Sequence, residues 1–352
     1  MILAAPDKFR GTVTAIQASE AIARGVLSCA LSVQKLPLSD GGEGLIDVLE
    51  VLGGSRTTVE VSGPLGLPTE ADYLRIGNLA ILEMAQASGL ALAGGAEGND
   101  AMAATTRGTG ELIVAAARSL TDAPDAPDSP GSERDGTIVV GLGGSATTDG
   151  GLGALRYIEE RGGLGSVELV GACDVTVGFV EAAEQFAPQK GAGQSQVLEL
   201  EQRLRLLAGQ YERDYGVDVR AVAGAGAAGG LGGALVALGG RLRSGYVVVS
   251  ELLGLHDMLA HSSMVVTGEG GFDATSFSGK AVGSVVRDAS ALGIPSLVIA
   301  GRVSREAFAM VEQFGSTVVS LSDRFGESRS LSDTSRCIEI AVAERLETMG
   351  AT

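Results

Sequence analysis

Short apolar runs recur at positions 1–5, 33–37, 264–267, 296–300 and 316–321, each followed by residues in a helical pattern. Runs that are apolar on both faces mark buried parallel strands, so the two ends of the chain predict repeated strand–helix units. The clearest helix is the first: Thr14 stands as a candidate N-cap, and Ile16, Ala21, Ile22, Val26, Cys29 and Ala30 recur near helical period. Another helix, from Ser332 to about Met349, closes the chain. Between Val59 and Leu90 the pattern changes. Val59-Glu-Val, Ala71-Asp-Tyr-Leu-Arg-Ile and Leu79-Ala-Ile-Leu-Glu-Met are separated by short Gly/Pro turns with no room for helices, which predicts antiparallel or mixed pairing.

Two sheets imply two domains. The reading is an α/β protein whose first domain, residues 1–58 and 245–352, is interrupted by a second at 59–244, with the cleft between them as the natural site. Residues 118–137, with three prolines and many small or acidic residues, read as a mobile surface loop.

Composition narrows the function classes. Apolar residues are 45% of the 352 and charged residues 20%, enough to fold as a globule. A net charge of −17 repels nucleic acid and anionic membrane, so any anionic substrate needs its cations concentrated locally. Three scattered cysteines form neither a disulfide framework nor a Cys-x-x-Cys metal site, and no export signal opens the chain, so the expected compartment is the reducing cytoplasm. The uncharged stretch 221–240 holds eight glycines, which suits a buried turn better than a membrane span.

Four segments carry candidate chemistry. Asp40-Gly-Gly-Glu-Gly44 follows the run at 33–37, placing Asp40 and Glu43 at a strand's C-terminal edge, where open α/β sheets bind ligands; an acidic helix N-terminus is the plainer reading. Gly141-Leu-Gly-Gly-Ser-Ala-Thr-Thr-Asp-Gly-Gly151 joins the strand Thr137–Val140 to the helix Leu152–Glu160, so amides and hydroxyls of Gly143, Gly144, Ser145 and Thr147 can converge on a phosphate. Position 146 is alanine where a dinucleotide fingerprint needs its third glycine. A second cluster, Ala223–Gly233, has no side-chain donors and suits close packing or ligand approach equally. Thr267-Gly-Glu-Gly-Gly-Phe-Asp273 follows the strand Met264–Thr267, with Lys280 just beyond; Glu269, Asp273 and an amine suit magnesium and phosphate, although no Walker spacing is present.

The lysines sharpen this. Only four occur against 22 arginines, and Lys8, Lys190 and Lys280 all stand in motif-like segments. Asp174, in Ala172-Cys-Asp-Val175, ends an apolar run where a carboxylate can accept a proton or hold a metal; Cys173 reads as a small core residue, and His256 and His261 match no common ligand pair.

In order, Ala5-Pro-Asp-Lys-Phe-Arg-Gly11, Pro37-Leu-Ser-Asp-Gly-Gly-Glu-Gly44, Gly108-Thr-Gly-Glu-Leu112, Gly143-Gly-Ser-Ala-Thr147, Phe186-Ala-Pro-Gln-Lys-Gly191, Gly224-Ala-Gly-Ala-Ala-Gly-Gly230 and Thr267-Gly-Glu-Gly270 with Phe272-Asp273 resemble the type I glycerate kinase family over nearly the whole chain. The resemblance implies a flavodoxin-like parallel-sheet domain carrying an inserted, mixed-sheet α/β domain. It implies phosphorylation of D-glycerate, commonly at the 2-hydroxyl, with ATP as co-substrate and Mg2+ as cofactor, and it leaves a homodimer open. The chain departs from the family pattern at Gly271, where arginine is usual, at Arg107, where tyrosine is common, and at Thr176–Phe179; residues 158–173 are also shorter.

On that resemblance, Gly143, Gly144, Ser145 and Thr147 with Lys190 and Lys280 would hold phosphates, and Glu269 and Asp273 the magnesium. Asp174 would orient or deprotonate the hydroxyl, with Lys190 and Asp273 also catalytic. Lys8 and Arg10 would hold the glycerate carboxylate, and Asp7, Asp40, Glu43 and Arg107 would complete the substrate site. Two rivals are a small-molecule kinase of the galactokinase and homoserine kinase type, suggested by Gly141–Ala146, and a catalytically degenerate ligand-binding member of the fold.

Overall fold

A computed structural model describes residues 1–121 and 136–350. Its strands are β1 (Ile2–Ala4), β2 (Val33–Lys35), β3 (Ser55–Ser62), β4 (Pro68–Ile76), β5 (Leu79–Glu83), β6 (Thr137–Gly141), β7 (Glu168–Ala172), β8 (Arg241–Arg243), β9 (Met264–Phe272), β10 (Ser296–Val303) and β11 (Thr317–Ser320). They form a five-stranded sheet of order β11-β10-β9-β1-β2 and a six-stranded sheet of order β3-β4-β5-β6-β7-β8. The chain divides into two compact units, one of Met1–Asp40, Asp47–Val51 and Gly245–Thr352, the other of Gly41–Ile46 and Leu52–Ser244. The sequence reading puts the first crossing at 58–59; in the structure β3 pairs along its whole length with β4, so all of it lies in the second unit.

Every pairing in the first sheet is parallel. Numbered within the unit, its order is 2-1-3-4-5, the flavodoxin-like order, whose switch point falls between β1 and β9. Apolar residues cover both faces, as the unbroken hydrophobic runs require. One face packs Ile22, Val26, Ile338 and Val342 from the helices Ala15–Ser28 and Thr334–Thr348. The other packs Val282, Val286 and Val311 with Phe272 and Phe277. Thr14 forms a full capping box with Gln17, each side chain meeting the other's backbone.

In the second sheet β3, β4 and β5 are antiparallel and β5 to β8 parallel, which is the mixed pairing predicted from Val59 onward. Of the proposed loop 118–137, residues 118–121 close the helix Arg107–Thr121 and Thr137 opens β6, while 122–135 lie outside the described residues. Among the described residues, no helix is long and apolar enough to cross a membrane.

The sequence reading ends a strand at Thr267, but β9 runs on to Phe272 because β10 continues beside it, pairing Glu269 with Ala300 and Gly271 with Arg302. The glycine segment is therefore a strand edge, and it holds Glu269 on a fixed backbone.

Candidate active site

The first unit carries a cavity of about 300 Å³ at the C-terminal ends of its parallel strands. Its wall is built from the segment after β1 (Asp7, Lys8, Arg10), the segment after β2 (Asp40), the ends of β9 and β10 (Glu269, Arg302) and Lys280 before the helix Ala281–Ala291. This is the switch-point crevice, where diverging connections leave room for a ligand.

Charge is dense there. Lys8 Nζ donates to Asp40 Oδ1 at 2.9 Å and lies 3.8 Å from Asp7 Oδ1, which also accepts the Lys8 backbone N–H at 2.7 Å. Burial pushes Asp7 up to about 7, with the Asp40 charge adding and Lys8 opposing. Burial alone would lower Lys8, but the carboxylates of Asp7 and Asp40 outweigh it and raise the amine above its ordinary value. Burial likewise pushes Glu269 up to about 7, against the Ser276 hydroxyl and Lys280. Arg302 pairs with Glu327. Arg10 is exposed and makes no hydrogen bond or ion pair among the described residues.

Glu269 Oε1 is buried and has no hydrogen-bond partner among the described residues, so a hard oxygen donor is left unmet beside the cavity. Asp273 is exposed and caps the turn Ala274–Phe277, its Oδ1 taking the Thr275 N–H at 2.7 Å and hydroxyl at 2.5 Å; Lys280 Nζ donates to the same hydroxyl at 2.8 Å. These bonds hold Asp273 below its usual value. Among the described residues no three His, Cys, Asp or Glu side chains converge as a metal site. The donor set suits Mg2+ bound by one or two carboxylates together with phosphate and water oxygens.

The second unit assembles the Gly143–Thr147 segment differently. After β6 the chain packs backbone to backbone against Gly41 and Gly42: a Cβ at Gly143 would lie 2.6 Å from the Gly42 Cα, and one at Gly144 would lie 3.2 Å from Glu43 Oε1. Glu43, read from sequence as a substrate-site residue beside Asp40, is thus placed beside the Gly143–Thr147 loop. The Ala223–Gly233 cluster packs on the far end of the segment. Ala228, Gly229 and Gly230 are all left-handed, and a Cβ at Gly229 would lie 1.9 Å from the Thr147 carbonyl oxygen. Of the two readings open for that cluster, close packing describes these positions.

Lys190 sits in the same place. It is 3% exposed, and its Nζ donates to the Thr147 carbonyl at 2.6 Å, so the amine points at backbone rather than solvent. Burial lowers it to about 7, with Asp149 opposing. Asp174 accepts the Ser244 hydroxyl at 3.0 Å at the end of β7. Beside it, burial pushes the Cys173 thiol up to about 11, which suits a packing residue. Arg107 opens the helix Arg107–Thr121 and is exposed, bonding Glu111 at 3.1 Å and lying 4.9 Å over the Tyr157 ring.

Within the first unit, then, Asp7, Lys8, Arg10, Asp40, Glu269 and Lys280 share one cavity, with Asp273 reaching Lys280 through Thr275. Within the second, Glu43, Gly144, Thr147 and Lys190 lie along one backbone segment.

Sequence reasoning missed several groups. Asp149 accepts the Thr106 N–H and hydroxyl, each at 2.8 Å, and the Gly151 N–H at 3.0 Å. Asn99 Nδ2 donates to the carbonyls of Ala146 at 3.0 Å and Lys190 at 2.8 Å. Buried Glu83 accepts the backbone N–H groups of Gly44 and Ile46, capping the helix Leu45–Leu49. Arg302 was overlooked among the many arginines. Only the Asp149 position gave a signal, as an acidic side chain just before a helix.

Residues 2–161 and 159–349 match the glycerate kinase family. A glycerate kinase of Halalkalibacterium halodurans is 36% identical over 349 residues, covering 88% of this chain and 88% of its own length. A glycerate 2-kinase of Escherichia coli K12 is 34% identical over 351 residues, covering 89% of this chain and 88% of its own. Among solved structures, a chain from Salmonella typhimurium LT2 assigned as glycerate kinase 2 superposes with a TM-score of 0.76 at 31% identity, covering 99% of this chain and 98% of that one.

Proposed function

The chain belongs to the glycerate kinase family, and from that premise we propose that it transfers the γ-phosphoryl group of ATP to D-glycerate, at the 2-hydroxyl, giving 2-phosphoglycerate. One observation carries this reading beyond family membership: in a chain of net charge −17, the cations Lys8, Arg10, Lys280 and Arg302 outnumber the carboxylates Asp7, Asp40 and Glu269 around one small cavity at the switch point of the parallel sheet. Cations gathered against the overall field mark a site for a small anion. A volume of about 300 Å³ suits a three-carbon acid.

In this reading Arg10 holds the glycerate carboxylate, its five donors matching a carboxylate's two oxygens. Lys8, fixed by Asp7 and Asp40, sets the positive potential beside it. Gly143, Gly144, Ser145 and Thr147 hold phosphate oxygens through backbone and hydroxyl donors, with Lys280 adding charge. Glu269, whose buried Oε1 has no partner among the described residues, would hold Mg2+ with Asp273; when bound, the ion neutralises charge on phosphate oxygens. Asp174 takes the proton of the acceptor hydroxyl. Phosphoryl transfer needs little covalent help, so positioning and charge neutralisation supply most of the rate.

The test is a coupled ADP-release assay with D-glycerate and ATP, followed by phosphorus NMR of the product. Turnover with a 2-phosphate signal is expected. Binding of both ligands without ADP release would favour the degenerate ligand-binding member, and turnover on galactose or homoserine instead would overturn the substrate.

A further inference from the structure

Two consecutive carbonyls of the Gly143–Thr147 segment are held by side chains from distant parts of the second unit. Asn99 Nδ2 takes the Ala146 carbonyl at 3.0 Å, and Lys190 Nζ takes the Thr147 carbonyl at 2.6 Å. The two side chains are themselves joined, because the same Asn99 amide also takes the Lys190 carbonyl at 2.8 Å. Since both partners of Nδ2 are carbonyl oxygens, the amide can face only this way, and its own Oδ1 is left buried with no partner among the described residues. An unmet buried acceptor is unfavourable, so the orientation is held by what Nδ2 grips. Two residues beyond Thr147, Asp149 fixes the chain through Thr106, Gly151 and Gly153.

Planarity carries the consequence. In a trans peptide the N–H points opposite to the preceding carbonyl. Gripping the carbonyls of Ala146 and Thr147 therefore turns the N–H of Thr147 away from Asn99 and the N–H of Thr148 away from Lys190. Neither N–H meets an acceptor among the described residues, although both residues are buried, at 0% and 1% exposure. Thr148 Oγ1 is also buried and without a partner among the described residues. Buried donors are rarely left unpaired, so a row of them is the signature of a position that an acceptor from outside the chain completes.

We propose that Asn99 and Lys190 are positioning residues: they hold the Ala146 and Thr147 carbonyls from behind, so that the Thr147 and Thr148 amides, with the Thr148 hydroxyl, receive a phosphate oxygen of the nucleotide. This rests on the assignment of the segment to phosphate made above, and it replaces a direct contact of Lys190 with phosphate by an indirect one. Thr148 joins the donors and Lys190 leaves them.

The test uses the full chain with Asn99→Ala, at a half-buried position, and Lys190→Met, which keeps the volume of a buried side chain. Three readouts apply: calorimetric affinity for ATP alone, KM for each substrate, and residue-level amide exchange at Thr147 and Thr148 without ligand. Both variants should bind ATP at least tenfold more weakly, leave the D-glycerate KM within twofold, and speed exchange at the two amides at least tenfold. Unchanged ATP affinity overturns the proposal, as does unchanged exchange or an equal rise in both KM values. A wild-type chain that binds no ATP would instead overturn the phosphate assignment, and the carbonyl grip is then judged on exchange alone.

Discussion

The cavity of the first unit and the glycine loop of the second, both proposed above to hold anions, are built by different means. In the cavity the polar groups are side chains: Lys8, Arg10, Lys280 and Arg302 stand against Asp7, Asp40 and Glu269; burial with the Asp40 charge raises Asp7, and the charges of Asp7 and Asp40 raise Lys8 against burial. In the loop the donors are backbone amides, and the side chains nearby, Asn99, Lys190 and Asp149, grip the backbone from behind or from the flank. A side-chain site is tuned by charge and tolerates loose packing. A backbone site has no charge of its own and depends on close packing to aim its N–H groups.

The largest effect that can break this contrast is a single methyl group placed in each region. Gly229→Ala puts a Cβ 1.9 Å from the Thr147 oxygen at a φ of +67°, so a loss on the order of 3 kcal/mol is expected by urea unfolding. Gly271→Ala, beside the cavity with nothing within 4 Å, should change stability by less than about 0.5 kcal/mol. Equal costs at the two positions would end the distinction between a packed and an open region.

A smaller effect sharpens the electrostatic half. Native Asp7 keeps its proton up to about 7, whereas the unfolded chain loses it near 3.8. Between those values the unfolded state binds fewer protons, so stability falls as pH rises from about 4 to about 7. Asp7→Asn removes the titrating group and should flatten that fall by on the order of 2 kcal/mol. Glu269, raised in the same direction, keeps the remainder. A pH dependence of unfolding unchanged by the substitution would show that burial and Asp40 do not perturb Asp7.

The same division decides what the sequence made legible. Strands β1, β9 and β10 announce themselves as apolar runs because both faces of the sheet are covered there, whereas the edge strands β2 and β11 are largely half-buried or exposed, and Thr14 announces its helix because a cap is a local bond to Gln17. Lys8, Asp40, Glu269 and Lys280 were readable as candidates because side-chain chemistry shows in residue type, and Asp7 and Arg10 entered through the resemblance to the glycerate kinase family. The end of β9 was not, since Gly268–Gly271 carries no pattern and only the neighbouring β10 makes it a strand. Asn99 was not, since its partners lie 47 and 91 residues further along. Lys190 stood out by type, but its burial on the Thr147 carbonyl is a product of packing.

The most direct measurement of the central claim is the pair of KM values for Arg10→Ala. Arg10 lines the cavity and makes no hydrogen bond or ion pair among the described residues, so its removal should leave the fold intact while raising the D-glycerate KM at least tenfold and the ATP KM less than twofold. A D-glycerate KM within twofold of the unsubstituted chain would contradict the account, because the cavity at the β1–β9 switch point would then not be where the acid binds.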